Sequence, residues 1–221
     1  MNFKEKKKYK IGIIGLGYVG LPLILAFSKK HKVVGYDINK ERIKNLNKGI
    51  DPTGEVQNKL IKKKIFFSNK KNYLKDCDIF IIAVPTPVNK KNIPDLGNLK
   101  KACILVSKII KKNAIIIFES TVYPGCTEEY CMPIIEKYSK YKYNKEFYLG
   151  YSPERINPGN NKMKIENIIK VTSGSNYEVA KIINNLYKSI IPAGTYLCSS
   201  IKIAEAAKVI ENTQRDLNIA F

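Results

Sequence analysis

Gly12-Ile-Ile-Gly-Leu-Gly-Tyr-Val-Gly20, "GIIGLGYVG", is the stretch on which the reading of this chain turns. It carries G-x-G-x-x-G at Gly15, Gly17 and Gly20, directly after the apolar run Lys10–Ile14 and at the head of a helical pattern over Val19–Lys30. The glycine spacing by itself is weak, but between a strand and a helix it describes a phosphate-binding turn. Gly15 permits the tight turn, Gly17 lets the backbone approach a pyrophosphate, and Gly20 lets the helix pack closely on the strand. Tyr18 and Val19 belong to the same loop. An anion is expected to rest on the unpaired amides and positive dipole end of the helix. A second strand, Lys32–Tyr36, ends at Asp37, about twenty residues further on, where this fingerprint places an acid that accepts from a ribose. That carboxylate repels a 2′-phosphate and favours NAD over NADP. Arg42 pulls the other way, because an arginine nearby can hold the phosphate.

Working outward, apolar runs alternate with helical patterns. Strands are predicted at Lys10–Ile14, Lys32–Tyr36, Lys64–Phe67, Ile79–Val84, Ala114–Phe118, Phe147–Gly150, Ile168–Thr172 and Thr195–Cys198. Helices are predicted near Val19–Lys30, Lys40–Lys48, Leu96–Lys111, Thr127–Tyr138 and Tyr177–Lys188. "DIFIIAV" and "AIIIFE" are continuously apolar, as strands covered by helices on both faces are. Alternation of this kind predicts an α/β fold, a doubly wound parallel sheet of Rossmann-like type. Residues 1–198 are assigned to it, and residues 199–221 to the start of a long helix outside its rhythm. In that helix Ile203, Ala207, Ile210, Leu217 and Phe221 form one apolar stripe, and no Gly, Asn or Pro closes it.

In such sheets ligands bind beyond the carboxyl ends of the strands. "AVPTPVN" presents Thr86 there between two prolines, and "FESTVYPGCT" presents Glu119, Ser120 and Thr121. Thr127 reads more simply as a helix cap. "GYSPERINPGN" delivers Glu154 and Arg155 into a loop stiffened by Pro158 and Gly159. The pair is either a surface ion pair, worth little, or a constrained turn that holds Glu154 as a general base. Lys208 and Asn212, four apart on one helical face, are either an ordinary exposed face or two donors for an oxyanion.

Composition limits the alternatives. The chain has 221 residues, 44% of them hydrophobic, enough for a sizeable core, and a formal charge of +20. The charge is almost all lysine, with arginine only at positions 42, 155 and 215, and it is spread over every segment. Nucleic-acid surfaces recruit arginine for its planar fork, so no nucleic-acid partner is expected. The five cysteines are odd in number and include no CxxC pair. No disulfide framework and no metal site is signalled, and a cytoplasmic setting fits. The basic "KEKKKYK" before an apolar run resembles a signal peptide, but no small-residue cleavage site follows. No segment is long and apolar enough to span a bilayer.

"GLGYVGLPL", "VPTP", "STVYPG", "SPERINPG" and "AEAAKVIENTQRDLNIA", in this order, resemble the UDP-glucose/GDP-mannose dehydrogenase family. The last two are most like the branch acting on UDP-N-acetylhexosamines in capsule and Vi-type polysaccharide synthesis. The resemblance implies oxidation of a sugar C6 alcohol to a carboxylate with two NAD+, through an aldehyde captured by a cysteine thiolate. It implies that Gly15, Gly17, Gly20, Asp37 and Arg42 hold the dinucleotide. Thr86 and Thr121 would line the nicotinamide side, with Thr121 also orienting a water. Glu154 would act as base for hydrolysis. Lys208 and Asn212 would bind the C6 oxyanion, and the Arg155–Gly159 loop, with Arg155, Ile156 and Asn157, would lie near the sugar. A homodimer through the long helix is implied for the full-length protein. The family's Gly-rich nucleophile motif is absent. Cys126 is the most tempting of the five cysteines, near a helix N-terminus that could lower its pKa, but its position matches no nucleophile of the family. The expectation is therefore the first half of a dehydrogenase, cut within the helix joining its domains and inactive alone. The alternatives are a non-catalytic dinucleotide-binding module and a β-hydroxyacid dehydrogenase relative; "SPERINPG" speaks against the latter.

Overall fold

The structure, a computed structural model, describes residues 8–58, 61, 65–154 and 167–221. Eight strands form one sheet: β1 (Lys10–Ile14), β2 (Lys32–Tyr36), β3 (Phe66–Ser68), β4 (Ile79–Ile82), β5 (Ala114–Phe118), β6 (Phe147–Tyr151), β7 (Lys170–Gly174) and β8 (Thr195–Leu197). Their spatial order is β3-β2-β1-β4-β5-β6-β7-β8. The chain starts in the middle, winds to one edge, returns past β1 and winds to the other. That reversal between β1 and β4 opens a crevice above the strand ends.

Among the described residues six α-helices accompany the sheet: α1 (Gly20–Ser28), α2 (Lys40–Asn47), α3 (Gly97–Ser107), α4 (Met132–Ser139), α5 (Tyr177–Lys188) and α6 (Ile201–Ala220). Phe27 of α1, Leu46 of α2 and Ile183 of α5 pack in one apolar layer with Ile11, Ile79 and Ile115 of the sheet. Leu99 and Val106 of α3 and Ile135 of α4 pack in a second layer with Phe80, Ile116 and Phe118. All residues of β4 and β5 are buried. At about 1.5–3 kcal/mol for each large apolar side chain, these two central strands anchor everything that extends beyond their ends.

Local chemistry sets the helix starts. Asn39, Asn176 and Ser200 accept from the backbone amides of Arg42, Val179 and Ile203 and so cap α2, α5 and α6. Pro133 sits in the first turn of α4, where its missing N–H costs nothing. Gly20 opens α1, and a Cβ there would fall far inside contact distance of the Gly15 carbonyl. The third glycine of the motif is thus a packing residue, as the spacing predicts.

Four expectations need correction. The sheet is not wholly parallel: β7 runs antiparallel to β6, pairing Gly150 with Gly174 and Tyr151 with Ser173. β7 begins two residues later than the apolar run suggests, because Lys170 is 3% exposed whereas Ile169 is 53% exposed. A lysine there is paired inside the protein, which hydropathy cannot reveal. The helix expected over Thr127–Tyr138 starts instead with a π-helical turn, Cys126–Cys131, which passes into α4. The strand predicted at Lys64–Phe67 appears as Phe66–Ser68, and Lys64 lies outside the described residues.

Candidate functional site

A cavity of about 740 Å³ opens over the carboxyl ends of β1, β2, β4 and β5. Gly15, Gly17, Tyr18 and Val19 of the β1–α1 turn form one wall. Gly15 has φ +89°, a conformation glycine adopts without steric cost, and a Cβ on it would stand 2.6 Å from the Ala83 carbonyl oxygen. Nothing lies within 4 Å of where a Gly17 Cβ would be. That open space is what a bound pyrophosphate needs to reach the backbone.

Asp37 is held ready by the loop it serves. One carboxylate oxygen accepts from the Leu16 amide at 2.9 Å and the other from the Asn39 amide at 2.9 Å. Arg42 is elsewhere. Its Nε donates to the Leu16 carbonyl at 2.9 Å, its Nη1 donates to Asp51 at 2.5 Å, and it does not line the cavity. The guanidinium braces the glycine loop from behind. An arginine committed to Asp51 is poorly placed to receive a 2′-phosphate, and this removes the one feature that weighed against NAD.

The other wall comes from distant segments. Thr86 lines the cavity and donates its Oγ1 to the Thr121 carbonyl at 2.6 Å; Ser120 Oγ donates to the Val84 carbonyl at 2.6 Å. These bonds tie the loops after β4 and β5 together. Thr121, Glu154, Lys208 and Asn212 all reach the same cavity. Lys208 and Asn212 come from α6, whose next turns add Arg215. Lys208 and Arg215 both pair with Glu211 on that helix. Arg155, Ile156 and Asn157 lie outside the described residues.

At the floor of the cavity Glu119 and Glu154 meet two partners that the sequence did not announce, Lys170 and Tyr187. Lys170 Nζ donates to Glu119 at 2.6 Å, to the Pro153 carbonyl at 3.0 Å and to Glu154 at 3.3 Å. Tyr187 of α5 donates its hydroxyl to the other Glu119 oxygen. The side chains of Glu119 and Lys170 are 0% and 4% exposed. Burial pushes the Glu119 carboxyl up to about 7, and Glu154 adds to this, against the pull of Lys170. Burial alone would lower the Lys170 ammonium; Glu119 and Glu154 outweigh it and raise it. Burial and Glu119 together raise the Tyr187 phenol.

A second missed residue fixes the helix. Glu205, fully buried on α6, accepts from the backbone amides of Gly125 at 2.5 Å and Thr127 at 2.9 Å. Those amides open the π-helical turn, so Glu205 pins α6 to the loop after β5. Thr127 is therefore not the cap; Gly125, at φ +96°, occupies that place. The spacing of Glu205 three residues before Lys208 was visible in "AEAAK", but nothing marked it as buried.

Cys126 does not fit a nucleophile. All five cysteines are buried. Hydrogen bonding to Cys131 and burial raise the Cys126 thiol rather than lower it. Burial pushes Cys77 up to about 12. Among the described residues no group of three or more His, Cys, Asp or Glu could hold a metal. Nor is any described helix long and apolar enough to cross a membrane.

A doubly wound sheet with a glycine turn, a ribose acid and an open cavity at its switch point defines a Rossmann-type dinucleotide-binding domain. Residues 9–191 match the UDP-glucose/GDP-mannose dehydrogenase family, NAD binding domain, and the chain belongs to that family. NAD is the dinucleotide of this domain. The chain is 53% identical over 217 residues to a UDP-N-acetyl-D-glucosamine 6-dehydrogenase of Pseudomonas aeruginosa, covering 97% of this chain and 51% of that protein. It is 54% identical over 212 residues to Protein CapL of Staphylococcus aureus, covering 96% and 50%. Among solved structures it resembles a UDP-D-ManNAc dehydrogenase from Pyrococcus horikoshii, with 33% identity and a TM-score of 0.86, over 96% of this chain and 51% of that one. The chain spans about half the length of the curated relatives it matches.

Proposed function

We propose that this chain forms the NAD-binding part of a UDP-N-acetylhexosamine 6-dehydrogenase serving surface-polysaccharide synthesis. Residues 1–198 would make the dinucleotide-binding domain, and residues 199–221 would begin the helix joining it to a substrate domain. The observation that carries the reading is convergence. Thr86, Thr121, Glu154, Lys208 and Asn212 come from four separate segments, and all line one cavity with Gly15, Gly17 and Asp37.

The bound cofactor supplies a hydride acceptor. Gly15 and Gly17 give the diphosphate close access to backbone amides, with Tyr18 and Val19 beside it. Asp37 accepts from the ribose, and Gly20 keeps α1 close enough for its N-terminus to face the anion. Thr86 and Thr121 border the nicotinamide side. Lys208 and Asn212 offer the two donors that stabilise negative charge developing on a C6 oxygen. Glu154 takes the proton of a water oriented by Thr121. Arg155, Ile156 and Asn157 would lie near the sugar. Relatives named as UDP-N-acetyl-D-glucosamine 6-dehydrogenases at 53% and 52% identity support the substrate class. A cytoplasmic location, where UDP-sugars are made, and a homodimer through α6 complete the proposal. The exposed Ile203, Ile210 and Leu217 support the latter.

Two outcomes test it. Calorimetry with NAD+ shows saturable binding, and Asp37→Ala weakens it by roughly tenfold or more, the range of one or two charge-assisted hydrogen bonds. No heat of binding, or no effect of the substitution, overturns the reading. Separately, the purified chain given NAD+ and UDP-N-acetylglucosamine yields no uronate by mass spectrometry, because its thiols are buried. Product formation would refute that.

A further inference from the structure

We propose that Glu119 is the residue through which this site distinguishes oxidised from reduced cofactor: ionised, it adds one buried negative charge to the floor of the cavity, complementary to the cationic nicotinamide of NAD+. The inference rests on the cofactor reading above. Oxidised nicotinamide carries a positive charge that hydride addition removes, so an electrostatic field at that end of the cavity acts on one form and not on the other.

The geometry supplies the field. Glu119 lies two residues before Thr121 at the end of β5, and both line the cavity, as does Glu154. Two carboxylates, Glu119 and Glu154, share one ammonium, Lys170, at 2.6 Å and 3.3 Å. Ionisation of Glu119 adds one negative charge to this cluster, and its protonation removes that charge. The side chains are buried, which limits screening by solvent and salt. The groups facing Glu119 are Lys170 from β7, Glu154 after β6 and Tyr187 from α5, with Tyr151 of β6 nearby, its phenol raised by burial first, then by Glu205 and by Glu119.

Other charges also line the cavity. Lys208 and Arg215 on α6 share Glu211; the Lys208 side chain is 10% exposed and those of Arg215 and Glu211 are 31% and 24% exposed. Lys101 is exposed on the rim. Asp37 stands at the ribose position of the β2 end. The comparison with Glu119→Gln separates the contribution of the buried cluster from that of these charges. Burial places the Glu119 carboxyl near 7, between pH 5.5 and 8.5.

The test is calorimetric titration of the full 221-residue chain with NAD+ and with NADH at pH 8.5 and pH 5.5. At pH 8.5, NAD+ is expected to bind about tenfold more tightly than NADH, the order expected of one poorly screened unit charge within ~10 Å. At pH 5.5 the ratio should fall toward one. Glu119→Gln, which keeps the shape and an acceptor for Lys170, should give the low ratio at both pH values. Should that variant not fold, the pH dependence in the unaltered chain still decides. Equal affinities at pH 8.5, tighter NADH, or a ratio unmoved by pH or by Glu119→Gln would overturn the inference while leaving the cofactor reading intact. Binding of neither form overturns the cofactor reading, and this inference with it.

Discussion

Replacing Lys170 by methionine lowers the stability of the folded chain by about 3–5 kcal/mol, the cost of removing one partner from a buried ion pair. The methionine fills similar volume, so the loss does not come from a cavity. It comes from Glu119 and Glu154, left without the ammonium between side chains that are only 0% and 8% exposed. At about 2–4 °C per kcal/mol for a chain of this size, the melting temperature falls by roughly 10 °C. Denaturant titration followed by circular dichroism measures it. The double variant with Glu119→Gln should recover part of the loss, because one of the stranded charges is gone. A single variant as stable as the parent would show that the cluster is solvated and not buried.

The same cluster gives stability a definite pH dependence. The Glu119 carboxyl stands at about 7 in the folded chain and at its ordinary 4.5 when unfolded. The folded state therefore binds this proton more tightly. The stability it contributes is present in full below about pH 4.5 and is lost as pH rises through about 7. In a comparison of the parent with Glu119→Gln, the parent loses ground between those values.

Glu205→Ala is the second large effect. The substitution leaves the Gly125 and Thr127 amides without the acceptor that holds them at 2.5 Å and 2.9 Å. At ~1–3 kcal/mol for each of these two buried unsatisfied groups, a loss of about 2–6 kcal/mol follows. Ile201, Ala204 and Glu205 are the residues α6 buries against the domain. Loosening that contact also frees Lys208 and Asn212 from their place over the cavity. Hydrogen exchange should show α6 amides losing protection before those of β4 and β5, and Glu205→Gln, which keeps one acceptor, should lose less. Unchanged stability and unchanged exchange in Glu205→Ala would refute the latch.

The sequence exposed those parts of the site whose chemistry is local. Gly15, Gly17 and Gly20 declare themselves because a tight turn, an open face and a close crossing each exclude a side chain, and all three lie within six residues. Asp37 follows from strand length. Thr86, Thr121 and Glu154 could be named because a doubly wound sheet sends every parallel strand toward the same edge. Lys170, Tyr187 and Glu205 could not. Each is a polar residue whose burial depends on partners 51, 68 and 78–80 positions away. By hydropathy such residues read as surface, and the start of β7 was misplaced for that reason. Arg42 shows the converse: its position suited a phosphate, but Asp51 engages it instead.

What the sequence determined by itself is the fold and the kind of ligand, because both are written in patterns of a few residues: apolar runs, glycine spacing, an acid at a strand end. What only the tertiary structure decided is which charges face one another. The antiparallel turn of β7 brings Lys170 beneath Glu119 and Glu154, and the packing of α6 lets Glu205 reach the loop after β5. Electrostatic energy in a buried site depends on distance through space and on the absence of water, and neither quantity is carried by the order of residues along the chain.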